Sequence, residues 1–393
     1  MQRAERGDAD LPLVLAQLLD RNIHFPGHPV FVDDLVRFQM PDGLGFQFRG
    51  AESPVLVRGR WVGEVLSYLD TVLDGDHDVG AVLTGVPEAI PTSIVVRTLL
   101  ILHSKGIICP VADVPAVRPQ DDLTKRQLLF WGRHLHLTRS AGSGSEIQRR
   151  LAVASVIVVT SGLLGSVTID LLSRSGFESI QVMSLIDDDA VLDMNGDGVQ
   201  YLPTAGTDGL LAQLRSMAGG ADLILTTTTD APRILLEAVN DISLATGTAW
   251  FPANIDGSAI DIGPLVVPHE TACFHCVTLR QQSAQAFGIE NELYQLELAK
   301  YSADRTRPHL GEALWPATLA ASLIVGEASR YLSGIAAPTL VDAVLRVLPV
   351  TGVMERNEVL RVARCPACFR GEISPAEEQV ELDADRARNT VTR

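Results

Sequence analysis

From residue 30 to residue 59 apolar and polar residues alternate with a period of two, interrupted at Pro41-Asp42-Gly43 and again between Gly50 and Pro54. That pattern predicts short antiparallel strands joined by turns. Over 62–73 and 92–103 the apolar spacing lengthens to three and four, and glycines follow at Gly75 and Gly106. A glycine just past the last periodic residue fits a helix C-terminus, so two helices are expected. Residues 110–122 are rich in proline and acids and read as a linker, 123–137 return to helical spacing, and 140–145 read as a flexible stretch.

Downstream, strand-like runs (154–160, 179–186, 222–226, 249–251) alternate with helical ones (163–175, 208–218, 232–246). Alternation of this kind predicts a parallel sheet covered by helices. A long amphipathic helix over 314–332 and a strand over 341–348 follow, and the polar residues 377–393 lack an apolar face. The longest uncharged stretch, 151–169, has the length of a membrane span. Its serines, threonines and glycines, and its change of period half-way, make it strand, turn and helix instead.

Composition narrows the function classes. With 46% hydrophobic and 20% charged residues the chain buries enough apolar surface to fold. A net charge of −16 disfavours phosphate backbones and anionic lipid. Residues 1–112 carry nine Lys/Arg against fourteen Asp/Glu, and the helix over 92–103 has only Arg97, so the basic stripe of a DNA reader is missing. No nucleic-acid or membrane partner is expected. The first ten residues, MQRAERGDAD, do not form a secretory signal, which makes the cytoplasm the expected compartment.

Four of the five cysteines form two pairs, Cys273-Phe-His-Cys276 and Cys365-Pro-Ala-Cys368. Two C-x-x-C turns supply the four thiolates of a closed tetrahedral zinc site, whose role is structural because no position stays open for water. The alternatives are unrelated buried thiols or a redox pair, and His275 is a candidate substitute ligand. Cys109 reads as a core thiol and His269 as a loop histidine. Thr160-Ser-Gly162-Leu-Leu-Gly165 lies where a strand meets a helix, and is either a structural glycine turn or a nucleotide cradle. Asp189, in the acidic cluster after the next strand, stands where a ribose-binding acid belongs, or else is part of a solvated strand end with a cap.

Taken in order, Gly162-Leu-Leu-Gly165-Ser, Asp187-Asp-Asp189-Ala-Val, Asn195, Thr229-Asp230-Ala-Pro-Arg233 and the two cysteine pairs resemble the ThiF/MoeB-type E1-like adenylating proteins, over residues 121–370. The resemblance implies that Asp189 matches a ribose-binding Asp and Asp230 one that helps to hold magnesium. The sequence departs from that family at its Arg and Gln positions, which read Gly198 and Val199. It has no lysine between Lys125 and Lys300 and no cysteine between Cys276 and Cys365 to form a thioester. Losing phosphate-facing charges, each worth about 1.5–3 kcal/mol, points to a site whose adenylation chemistry is gone. Gly162, Gly165, Asp189 and Asp230 are then a vestigial nucleotide site, no catalytic residue is assigned, and ATP is not an expected cofactor.

The Pro-Val-Phe-Val start, the run G-P-L-V-V-P-H-E-T-A-C-F-H-C over 263–276 and the terminal Arg364-Cys-Pro-Ala-Cys resemble the cyclodehydratase C-proteins of azole and thiopeptide biosynthesis. That branch implies an α/β chain in which a winged-helix-like recognition element for ribosomally synthesised, modified peptides (RiPPs) precedes an E1/ThiF-like Rossmann-type domain with a four-cysteine zinc site. The expected layout is a recognition domain over 1–112, a linker and helix over 113–150, the E1-like domain over 151–372 and a tail over 373–393. The implied function is that of a scaffold, carrying out no bond chemistry itself, that binds the leader of a precursor peptide and presents it to a YcaO-type, ATP-using cyclodehydratase. A homodimer is implied as well. Leader binding there is strand addition, with Val55, Leu56 and Val57 on the edge strand and Val95, Leu99 and Leu102 on the facing helix as candidate contacts or, alternatively, core. The other reading is an active ATP-dependent adenylating enzyme.

Overall fold

The computed structural model describes residues 25–32, 35–41, 43, 45–50, 54–114, 123–138, 140–185, 198–284, 287–302 and 313–369. Its N-terminal part pairs β1 (Pro29–Phe31) with β5 (Ile108–Pro110) and builds a three-stranded antiparallel sheet in the order β2 (Val36–Gln39), β3 (Gly45–Arg49), β4 (Val55–Arg58). Against that sheet lie α1 (Val62–Val72), α2 (Val79–Thr84) and α3 (Thr92–Ser104). Period two explains the sheet: Phe48, Val55 and Val57 turn into the core, whereas Leu56 and Arg58 turn out. Periodicity missed α2, whose six residues are too few to show it; its start is marked by Asp78, which accepts the N–H of Ala81 at 2.7 Å.

The linker expected over 110–122 begins as ordered backbone, with a 3₁₀ turn over Val111–Asp113. Helix α4 (Leu123–Arg133) and a 3₁₀ turn (Leu135–Leu137) take up the predicted 123–137. The stretch expected to be flexible, 140–145, instead enters a helix, α5 (Gly144–Val153). Ser143 accepts from the N–H of Glu146, and the Glu146 carboxylate reaches back to the N–H of Gly142 at 2.9 Å, a capping-box arrangement. Buried Asp113 completes that start, accepting from Gly144 N–H (2.6 Å), Ser145 N–H (3.1 Å) and the Ser145 hydroxyl (3.0 Å). A carboxylate at a helix N-terminus meets both unpaired donors and the positive end of the dipole, so Asp113 fastens the N-terminal part to α5.

A second contact at this seam is aromatic. His103 of α3, 2% exposed, lies 5.1 Å from the ring of Phe25 and 6.3 Å from that of His136. Neither His103 ring nitrogen has a hydrogen-bond partner, and burial, with a smaller contribution from His136, holds its pKa down at about 4.

The rest is one eight-stranded sheet in the order β13-β12-β11-β10-β9-β6-β7-β8. Its parallel part comprises β6 (Ser155–Thr160), β7 (Ser179–Ser184), β8 (Val199–Leu202), β9 (Leu223–Thr229) and β10 (Ala249–Asp256). The sheet is mixed rather than purely parallel, because β11 (Ala259–Ile262), β12 (Ala343–Leu348) and β13 (Val353–Glu358) add on antiparallel. Alternate residues feed opposite faces. Val156 and Val158 pack under α5, α6 (Gly162–Arg174) and α11 (Leu314–Ser333). Ile157 and Val159 pack with α7 (Gly206–Met217), α8 (Arg233–Thr246) and α9 (Phe274–Ala284). A further helix, α10 (Gly288–Ser302), follows α9. No helix among the described residues is long and apolar enough to cross a membrane.

Candidate functional site

The chain leaves β6 to one side for β7 and β8 and returns to the other for β9 and β10, so the sheet's switch point lies between the C-terminal ends of β6 and β9. Ligands of open α/β sheets bind in the crevice at such a point. Here it is framed by Thr160, Ser161 and Gly162 on one side and by Thr229 and Asp230 on the other. Ser161 bridges the two strands: its N–H donates to Thr227 carbonyl at 3.0 Å and its hydroxyl accepts from Thr229 N–H at 3.2 Å.

Both glycines of the turn have local reasons to be glycine. Gly162 opens α6 at φ +70°, a left-handed conformation that side chains resist. A Cβ on Gly165 would fall 1.4 Å from Thr160 Oγ1, so Gly165 is what lets α6 close on β6. Asp230 has φ 50°, donates its N–H to Ile255 carbonyl at 2.7 Å and holds a carboxylate oxygen 3.5 Å from Gly257 N. Asp189 lies outside the described residues, as does Asn195.

Helix α10 crosses this end of the sheet, which no sequence motif announced. Glu292 forms a two-pronged ion pair with Arg233 at the start of α8 (2.9 and 2.8 Å), and Gln295 accepts the Arg233 N–H at 2.8 Å. Tyr294 donates its hydroxyl to Asp256 at 3.0 Å; partial burial and the carboxylates of Asp256 and Asp230 push its pKa up to about 12. Glu292 in turn raises the Arg233 pKa further above its ordinary value. The Arg233 guanidinium is thus committed to carboxylates, and among the described residues Asp230 and Asp256 add negative charge at this end of the sheet. A triphosphate would need the reverse.

The two cysteine pairs, 92 residues apart in sequence from Cys273 to Cys365, meet below α9. All four are buried, and their sulfurs lie within 4.8 Å of one another. Neighbouring sulfurs stand 3.6 Å (Cys273–Cys365) and 3.8 Å (Cys273–Cys276 and Cys276–Cys368) apart. A tetrahedral ion with metal–sulfur bonds of about 2.3 Å requires sulfur–sulfur edges of about 3.8 Å. The spacing therefore fits a metal ion and far exceeds a disulfide bond, and the cysteines are all free. Cys273 donates to Cys276, which lowers the Cys276 pKa and raises that of Cys273, while burial pushes Cys368 up. Val362 N–H adds a donor to Cys276 at 3.4 Å. His275 is not part of the cluster and faces Asp241 at 3.3 Å.

The candidate peptide contacts divide. Strand β4 is an edge of its sheet, with Leu56 45% exposed and Val55 and Val57 buried beneath it. Val95, Leu99 and Leu102 are fully buried in the core of the N-terminal part and have no surface to offer a peptide. Their spacing of four and three residues puts them on one side of α3, and the side that faces solvent instead presents Arg97 and Ile101.

No protein-family model matches the chain, and no curated protein does. Among solved structures it is similar to E. coli MccB in complex with AMPCPP and MccA, at TM-score 0.63 and 17% identity over 87% of this chain and 99% of that one. MccB with ATP matches at 0.62 and 16%, covering 86% and 99%. A heterocyclase in complex with substrate and cofactor matches at 0.50 and 15% over 87% of this chain but 39% of its own. These likenesses establish the fold, an α/β chain with a large mixed sheet like that of MccB.

Proposed function

We propose that this protein is a precursor-peptide-binding scaffold of RiPP biosynthesis, and that it presents a leader-bearing peptide to a separate YcaO-type, ATP-using cyclodehydratase for azoline or azole formation. The observation that carries this reading is the crevice at the switch point, where the Arg233 guanidinium is held by Glu292 and Glu237 and where, among the described residues, Asp230 and Asp256 stand. An E1-like fold with that electrostatic sign is suited to a role without nucleotide. The open edge of β4 supports peptide capture by strand addition, with Leu56 beside it and the outward face of α3 as the second wall. MccB solved with MccA, and the heterocyclase solved with its substrate, are similar folds that support a peptide-handling role.

In this reading the cysteine cluster holds a structural zinc ion that ties the segment around Cys365 back to α9, the chain works as a cytoplasmic homodimer, and the division into a recognition domain over 1–112 and an E1-like domain over 151–372 follows function. A thiopeptide-like product is the expected class.

The second reading, ATP-dependent adenylation, draws on the structures of MccB with ATP and AMPCPP and on Asp230 at the crevice. One experiment separates the two: titration of a labelled leader peptide from the neighbouring precursor gene, run beside ATP–pyrophosphate exchange. Sub-micromolar leader binding without exchange supports the scaffold. Robust exchange overturns it and makes Asp230 the first residue to substitute.

A further inference from the structure

Helix α10 is attached to the protein with little core of its own. None of its side chains from Gly288 to Lys300 is buried. The half-buried ones, Asn291, Glu292, Gln295, Leu298 and Ala299, recur at helical spacing and mark the inner side. Ile289, Leu293 and Leu296 lie outward, exposed, and add nothing to the attachment. The apolar part of the inner side is Leu298 and Ala299; the rest of the attachment is polar. Glu292 grips the Arg233 guanidinium and receives Gln282 Nε2 of α9 at 3.0 Å, Gln295 accepts the Arg233 N–H, and the Tyr294 hydroxyl reaches Asp256. Helix α8, by contrast, buries Leu235, Leu236, Val239 and Ile242. A segment with few buried apolar contacts opens at a free-energy cost well below that of global unfolding.

We propose that α10 is a lid over the Asp230 side of the crevice, latched by the Arg233–Glu292 ion pair, and that it lifts while the sheet stays folded. Position supports this. Tyr294 sits on Asp256 at the end of β10, close enough to Asp230 for that carboxylate to act on the same hydroxyl, and Glu292 and Gln295 meet the first residue of α8, three residues after Asp230. The latch is also built to release. The Arg233 and Glu292 side chains are 22% and 47% exposed, so neither is sealed from water and salt screens the pair. When Glu292 leaves, Arg233 keeps Glu237, one turn along α8 at 3.5 Å, and is not stranded. The backbone donor uncovered is the Arg233 N–H, at a helix start whose N-cap, Pro232, supplies no side-chain acceptor, and water takes the place of Gln295 there. Asp230, half-buried beneath the closed lid, is the side chain that opening exposes. The inference holds under either reading of the function, since it concerns access to the crevice and not the chemistry done in it.

The test uses the full-length protein and needs no ligand. Amide hydrogen exchange is followed by mass spectrometry over 288–300 and over α8. Carboxylate accessibility is followed by carbodiimide coupling of glycine ethyl ester to Asp230, with exposed Glu355 of β13 as the reference. Wild type is compared at about 0.05 M and about 0.5 M salt, and beside two variants: E292Q/Q295A, which removes the latch, and E297Q, which breaks only the outward Glu297–Lys300 pair of the same helix. In wild type, 288–300 should exchange about 100-fold faster than the buried turns of α8, and faster still at high salt. E292Q/Q295A should add about tenfold to that rate and label Asp230 more heavily, with Glu355 labelling, exchange in the buried turns of α8 and the thermal midpoint at wild-type values. E297Q should match wild type. Exchange over 288–300 as slow as in α8 at both salt concentrations overturns the proposal, and wild type alone gives that result whatever the variants do. So does unchanged Asp230 labelling in E292Q/Q295A, which would mean that α10 does not cover that carboxylate. An E297Q result equal to that of E292Q/Q295A also overturns it, because the helix would then be fraying and not unlatching.

Discussion

Replacing His103 by Phe should remove one component of this protein's acid sensitivity between pH 6.5 and pH 4. In the folded chain the imidazole is sealed between Phe25 and His136 with no acceptor for a proton, so its pKa falls from 6.5 to about 4. The unfolded chain binds the proton at the ordinary value. Above pH 6.5 both states are neutral and the residue adds no pH dependence. Below it the unfolded state holds more protons, so stability declines as pH falls and levels off near pH 4. At 1.36 kcal/mol per pH interval the total is about 3 kcal/mol, of which about 2 kcal/mol is lost by pH 5. Phe keeps a ring tilted against Phe25 and removes two buried nitrogens without partners, each costing about 1–3 kcal/mol. His103→Phe should therefore be more stable than wild type at pH 7, and the gap should widen toward pH 5. Urea unfolding followed by circular dichroism at pH 7, 6 and 5 measures both. Parallel curves for the two proteins over that range would refute the reasoning, because they would mean that His103 is protonated in the folded state.

Three other outcomes follow from single sites. Purified protein should carry one zinc per chain by elemental analysis, and Cys365→Ser should lower both the metal content and the thermal midpoint; full occupancy in the variant would contradict a four-sulfur site. Asp113→Ala should cost about 3 kcal/mol, since a buried carboxylate loses three donors and α5 loses its N-terminal anchor, and a thermal shift equivalent to under about 1 kcal/mol would show that the seam does not depend on it. Leu56→Asp should weaken leader binding by roughly tenfold with little change in stability, whereas Leu99→Ala should cost about 3 kcal/mol of stability through a cavity; the reverse pattern would put the peptide on the wrong side of α3.

How much of this was legible in the chain depends on whether the deciding interaction is local. Strand β6, its turn and α6 could be read directly, because periods of two and of 3.6 are properties of neighbouring residues. The four-cysteine cluster could be read from spacing, because each C-x-x-C turn orients its own two thiolates. Helix α5 was also written locally, in the Ser143–Glu146 capping box, yet it passed for a flexible stretch because its glycine and serines outweighed that signal. The strands β11 and β13 escaped for a different reason: four and six residues, the latter exposed throughout, carry too little alternation to stand out.

The sequence by itself determined the α/β class, the order of its main strands and helices, the four cysteines of the buried cluster and the acidic character that disfavours nucleic acid. Only the tertiary structure decided which way elements face and what they meet. Helical spacing groups Val95, Leu99 and Leu102 on one side of α3 but cannot say whether that side meets a core or a peptide; packing against β3 and β4 turned it inward. Nothing in its local sequence says what the Arg233 guanidinium meets; α10 brings Glu292 against it across 59 residues of chain. Asp113 reads as part of a linker until the N-terminus of α5 arrives beside it, 31 residues on. In each case the partner is distant in sequence, and the environment of a charged or apolar side chain is set by whatever the fold places next to it.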